Sequence, residues 1–96
     1  MSAAPARARV VTAATVLSMQ RGGLWMAGPA IGALAQALEG LPALSADDPL
    51  RPIVPLCRDL IDARLAESDR RYGGVRDALA AQVRLYWEMR LVEAAA

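Results

Sequence analysis

The side chains in this sequence best suited to grip a flat apolar molecule, or the helix of another protein, are Met19, Trp25, Met26, Tyr86, Trp87 and Met89. Indole, phenol and thioether groups combine a large apolar area with a polar or polarisable edge, which suits pockets and recognition surfaces alike. The chain has no Phe, so the same residues are the natural fillers of a core, and core filling is the first expectation for them. Other chemistry lacks its parts. No His is present, which excludes Ser–His and Cys–His nucleophiles and imidazole metal ligands. Cys57 is the single cysteine; it has no partner for a disulfide, and its place on an apolar helix face marks it as a small core residue. Asp47 and Asp48 read as capping residues, and Asp59 and Asp62 as a solvated face shared with Arg58. No metal site and no cofactor is expected. One enzymatic alternative stays open: a small cyclase- or isomerase-like protein that folds a hydrophobic substrate in a Met/Trp-lined pocket, with a single carboxylate, Tyr72 or Tyr86 as acid or base.

The stretch RGGLWMAGPAIGALAQALE, from Arg21 to Glu39, carries no charge between its ends. Its glycines match neither G-x-G-x-x-G nor a P-loop, which also needs a Lys that the chain lacks. As helix, the uncharged run from Gly22 to Leu38 would extend roughly 25 Å, short of the ~30 Å of a bilayer interior, and Pro29 and Gln36 weaken it further. Neither a phosphate site nor a membrane span is predicted. The stretch is expected to be the most buried helix of the domain.

Ninety-six residues are enough for one domain with one core. The apolar fraction of 55% exceeds the usual ~45–50%, and much of the excess is alanine. Every basic residue is Arg, and Lys and Asn are absent, the codon bias of a GC-rich genome such as an actinobacterium's. The net charge is +1, with acids and arginines interspersed from Asp47 to Glu93. No basic block offers a footprint for nucleic acid. Nothing resembles a secretory signal, so a cytoplasmic location is expected.

The elements that must position these residues are helical. A first helix is predicted from about Pro5 to Gln20, with Val10, Ala13, Ala14 and Leu17 on one face. The second, about Leu24 to Leu38, is apolar nearly all round, and at Gly28-Pro29 it either kinks or begins anew. Gly40 is expected to end it in a left-handed cap. Asp48 and Pro49 signal the third helix, delayed by Pro55 to about residue 55. Leu50, Ile53, Val54, Cys57, Leu60, Ile61 and Leu65 form its buried face, and Arg58–Asp62 and Glu67–Arg71 are spaced as ion pairs. Tyr72-Gly73-Gly74 reads as a break before a last helix from Val75 to about Glu93, with Asp77 near its start. That helix carries two apolar stripes. Val75, Leu79, Val83 and Tyr86 make one, and Ala78, Ala81, Leu85, Met89 and Val92 make the other. One serves the domain's own core; the second calls for a partner.

The run RGGLWMAGPAIGALAQALEGLP, followed by ADDPLR, resembles a small actinobacterial family of natural product biosynthesis proteins of unknown function. Arg21, Gly22, Leu24, Pro29, Leu34, Leu38, Pro42, Asp47 and Asp48 fit its pattern. The chain departs from it at Gly23, where a polar residue is usual, at Ala30-Ile31-Gly32, where acidic residues are usual, and in extra residues before the aspartates. The resemblance implies a setting in secondary metabolism and no particular catalytic residue.

The fold expected is therefore all-α: a three- or four-helix antiparallel bundle formed by residues 1–96 as a single domain, frayed at 1–6 and 94–96. The function expected is that of a non-enzymatic interaction or accessory protein, binding itself as a homodimer or a protein partner through an apolar helix face, with a hydrophobic small molecule as the other conceivable ligand.

Overall fold

A computed structural model describes residues 4–95. The described residues form four α-helices: α1 (Ala4–Met19), α2 (Gly28–Glu39), α3 (Ile53–Leu65) and α4 (Asp69–Ala95), with one short 3-10 turn, Leu24–Met26, before α2. No strand occurs among the described residues. Helix α1 packs on α2 and α4, and α3 packs on α4 and α2, so the four helices close an antiparallel-type ring around one core. Of the residues expected to fray, 1–3 and 96 lie outside the described range, while Ala4–Ala6 and residues 94–95 are helical.

Each helix contributes one buried stripe. Val10, Ala14 and Leu17 come from α1; Ile31 and Leu34 from α2; Ile53, Cys57 and Leu60 from α3; and Tyr72, Leu79, Val83 and Tyr86 from α4. No polar or charged residue is buried with them among the described residues. Removing such side chains from water is worth about 1.5–3 kcal/mol each for the larger ones. The core is thus Leu, Ile and Val, with Tyr72 and Tyr86 as its large anchors. Leu65, expected on the buried face of α3, is 77% exposed. Five residues beyond Leu60 it has rotated well off the stripe, and Ala63, fully buried, takes the core position instead.

The connections explain where the helices begin and end. Helix α2 is a fresh start, because Pro29 sits in its first turn, where the missing N–H costs nothing. Gly40 is not a left-handed cap: its φ is −84°. The Leu41 N–H instead donates to the Leu38 carbonyl at 3.1 Å, a tightened last turn that needs no left-handed residue. The Asp48 carboxylate accepts from the Leu50 N–H at 2.9 Å. This caps a turn over Pro49–Pro52 rather than the helix proper, and regular helix begins at Ile53. Pro55 then falls in the first turn, where backbone donors have no helical partner in any case.

The largest departure from expectation lies in α4. It starts at Asp69 and runs unbroken through Gly73-Gly74. The Ser68 hydroxyl accepts from the Arg71 N–H at 3.3 Å, an N-cap that fixes the start ahead of the glycines. Tyr72, 1% exposed, anchors the first turn in the core. Asp69, not Asp77, is the acid of the first turn. The end of α3 is coupled to the same serine. The Ser68 N–H donates to the Ala63 carbonyl and the Glu67 N–H to the Arg64 carbonyl, each at 3.1 Å, with Glu67 at φ +54°. These bonds form a Schellman stop, made here without glycine. Glu67 therefore stands in a turn outside both helices, which breaks the expected Glu67–Arg71 pair. The expected Arg58–Asp62 pair does not form either. The intrahelical ion pairs among the described residues are Arg84–Glu88 and Arg90–Glu93, at 3.8 and 3.6 Å and both exposed.

The adjacent glycines of the α1–α2 connection, Gly22 and Gly23, are held by α4. Gly22 has φ +105°. A Cβ on Gly23 would lie 2.7 Å from the Asp69 carboxylate, whose Oδ1 accepts from the Leu24 N–H at 3.0 Å. By contrast, a Cβ on Gly73 or Gly74 would meet nothing within 4 Å. Gly22→Ala and Gly23→Ala are expected to lower stability by about 1–3 kcal/mol, through strain and a displaced cap respectively. Gly73→Ala and Gly74→Ala should each raise it by about 0.5–1 kcal/mol. Glu67→Gly should raise it by a similar ~0.5–1 kcal/mol, because glycine adopts the left-handed conformation without strain. Urea midpoints for the five variants check both signs.

Candidate functional site

The six Met, Trp and Tyr candidates do not converge. Tyr86 is buried, while Met19, Trp25, Met26, Trp87 and Met89 are exposed. The expectation that the set replaces Phe in the core is corrected for those five. The reason is positional: Met19, Trp25 and Met26 fall at the α1 C-terminus and on the 3-10 turn, and Trp87 and Met89 follow the last buried residue of α4.

Two separate clusters result. In one, the Arg64 guanidinium stacks over the Trp25 ring at 5.0 Å, and Met26 lies against Gly22. Leu65, beside Arg64, and Met19, at the end of α1, are exposed apolar side chains near by in sequence. A ring held flat under a guanidinium is stabilised by cation–π attraction of ~0.5–1 kcal/mol at such an exposed site. In the other cluster, Trp87 meets Tyr86 edge-on, with centroids 5.4 Å apart, and its Nε1 donates to the Thr15 hydroxyl at 3.1 Å. Thr15 in turn donates to the Val11 carbonyl at 2.7 Å, so the tryptophan is tied to α1 rather than free to close on a ligand. Arg90 stacks over Tyr86 at 5.4 Å.

The clefts are open to solvent. One, about 570 Å³, runs between α1 and α2 and is lined by small residues such as Ala13, Ala30 and Ala33, with Arg9 and Gln36. A second of about 290 Å³ lies under Tyr86 and Trp87, bordered by Arg7 and Arg90 and by no carboxylate. Trp25 lines none of the clefts described. No group of three or more metal-ligating side chains occurs among the described residues. No helix there is long and apolar enough to cross a membrane.

The ionisable groups with displaced pKa values serve the fold. Burial pushes the Cys57 thiol up to about 12, so it stays protonated and unreactive at neutral pH. Burial also raises the Tyr72 phenol. The Arg7 guanidinium grips both oxygens of Asp48, Nη2 donating to Oδ1 at 3.0 Å and Nη1 to Oδ2. That hydrogen bond holds the Asp48 carboxyl below its usual range, and the Leu50 N–H adds to the effect. The contact joins residues 41 apart and ties the start of α1 to the α2–α3 loop.

The residues that carry the family resemblance have structural positions here. Gly22 makes a left-handed turn, Leu24 and Leu34 are core, Pro29 opens α2 and Asp48 caps a turn. Sequence inspection missed Asp69 and Arg76. Asp69 holds Leu24, and the Arg76 guanidinium donates to the Gly22 carbonyl at 2.7 Å, so both clasp the glycine turn from α4. Nothing in their local spacing signals a partner more than forty residues away.

What remains as a site is surface. The second stripe of α4 (Ala78, Ala81, Leu85, Met89 and Val92) is exposed along its full length. From Trp87 to Ala95 no residue is buried. The fold and this surface define a small helical protein, four α-helices among the described residues, with an exposed apolar face on the longest of them. Compared with models of known protein families, with curated proteins and with solved structures, the chain matches none.

The Arg7–Asp48 grip sets an acid dependence. A carboxylate whose pKa is depressed by folding contributes stability that is present above its unfolded pKa and lost as pH falls through the folded value. Wild-type stability should therefore decline below about pH 4. Asp48→Asn keeps an oxygen for Leu50 but not the charge. It should cost about 1 kcal/mol at pH 7 and flatten that part of the acid decline. Thermal melts of both proteins between pH 7 and pH 2.5 measure it.

Proposed function

We propose that the protein is a non-enzymatic helical interaction module whose docking surface is the outer stripe of α4. The observation that carries this reading is the uninterrupted exposure of Ala78, Ala81, Leu85, Met89 and Val92 on a helix whose other apolar stripe packs into the core. An exposed row of apolar side chains on one helix face, ending here in the large Leu85, Met89 and Val92, is the recurring signature of a helix that docks against another helix. The open clefts, and the separation of Trp25 from Trp87, supply no enclosed chamber among the described residues for folding a hydrophobic substrate. The likeness of Arg21–Asp48 to natural-product-associated proteins supports an accessory role beside enzymes of secondary metabolism.

Three exposed methionines provide the test. In the isolated chain Met19, Met26 and Met89 are 75%, 67% and 57% exposed. Mild peroxide footprinting in intact cells, read by peptide mass spectrometry, should oxidise Met89 several-fold more slowly than Met19 and Met26. Equal oxidation of all three would overturn the reading.

A further inference from the structure

The outer stripe of α4 has a pattern that goes beyond its being apolar. Its residues follow one another at intervals of three, four, four and three, the spacing of a helix–helix seam. Their sizes are ordered as well: small at Ala78 and Ala81, large at Leu85, Met89 and Val92. An ordered gradient of this kind is self-complementary under an antiparallel two-fold. With the axis at Leu85, Ala78 lies opposite the partner's Val92, Ala81 opposite the partner's Met89, and Leu85 opposite the partner's Leu85. Every large residue beyond the axis meets an alanine, so the helices approach closely without voids or clashes. A parallel pairing would instead set Met89 on Met89 and Val92 on Val92 at one end and leave alanine on alanine at the other.

The charges beside the seam agree with the same axis. Arg84 and Glu88 lie along one edge of the stripe and are exposed. In the antiparallel pair each Arg84 stands between its own Glu88 and the partner's, giving a neutral group of four along that edge. Gly73 and Gly74, with open space where a Cβ would be, leave the early part of the helix free of obstruction. The unpacked end of α4 is consistent with a missing neighbour, since helical segments in proteins draw most of their stability from packing. We infer that the occupant of this face is a second copy of the chain, joined through α4 in an antiparallel homodimer whose two-fold passes at Leu85. The inference rests on the interaction reading above and names its partner. A seam of about two heptads is small beside the ~800 Å² per partner of a tight interface, so the dimer forms and dissociates with concentration.

Light scattering on the purified chain, raised to about 1 mM, should show the mass climb from one chain toward two. Leu85→Asp should hold it at one chain over the whole series with unchanged helicity by circular dichroism, because Leu85 is half exposed and outside the core. Geometry is read by cysteine pairing, with Cys57 too buried to interfere. Leu85→Cys should link to itself on oxidation, and a mixture of Ala81→Cys and Met89→Cys chains should form the mixed disulfide. Ala81→Cys alone should not link, since its copies stand about 12 Å apart along the helix. Self-linking at Ala81→Cys as efficient as at Leu85→Cys would overturn the antiparallel axis. A wild-type monomer at every concentration would overturn the second copy as occupant. Should Met89 nonetheless be protected in cells, the interaction reading would survive with a different partner.

Discussion

One long helix that buries only one of its faces is the constraint from which the other features follow. Helix α4 has 27 residues, about 40 Å of helix, and it runs the length of a molecule whose longest extent is 41 Å. Tyr72, Leu79, Val83 and Tyr86 mark out the stripe against which α1 and α3 pack. Among the described residues no further helix covers the outer stripe. The large apolar residues that fall there remain in water or meet another molecule.

Polar contacts act at the corners of the bundle and leave its interior dry. Asp69 and Arg76 hold the Gly22–Leu24 turn against the start of α4. Arg7 and Asp48 hold the opposite end of α1 to the α2–α3 loop. Ser68 serves as both the stop of α3 and the cap of α4, which keeps their connection to three residues. The contacts of Asp69, Arg76 and Ser68 satisfy backbone donors or acceptors that would otherwise be left open near helix ends, where orphan groups are concentrated. The bundle thus takes its stability from apolar stripes and its register from a few corner bonds.

The helical class, the one-domain organisation and most of the core stripes were legible in the sequence, because apolar spacing reports directly which face of a helix is dry. The two stripes of α4 were legible for the same reason, including the outer one that forms the candidate surface. The boundaries around glycine were not. Gly40 resembled a left-handed cap and Gly73-Gly74 a break, yet the first is right-handed and the others are helical. Glycine permits these conformations without requiring them, and the decision fell to Ser68 and to the buried ring of Tyr72. Trp25, Trp87 and their methionine neighbours were misjudged as core because hydrophobicity alone does not say which residues a terminus or a short turn leaves outside.

The sequence by itself determined that this chain is a helical bundle with one more apolar face than its own core uses, since that follows from residue spacing and chain length. Only the tertiary structure decided that Met19, Trp25 and Met26 stand apart from Trp87 and Met89, and that the Gly22–Leu24 turn is a corner clasped by Asp69 and Arg76. These outcomes depend on contacts between residues forty or more apart, such as Leu24 with Asp69 and Thr15 with Trp87. Local pattern carries the energy of each helix face. Which faces and corners meet is set by the closure of the ring.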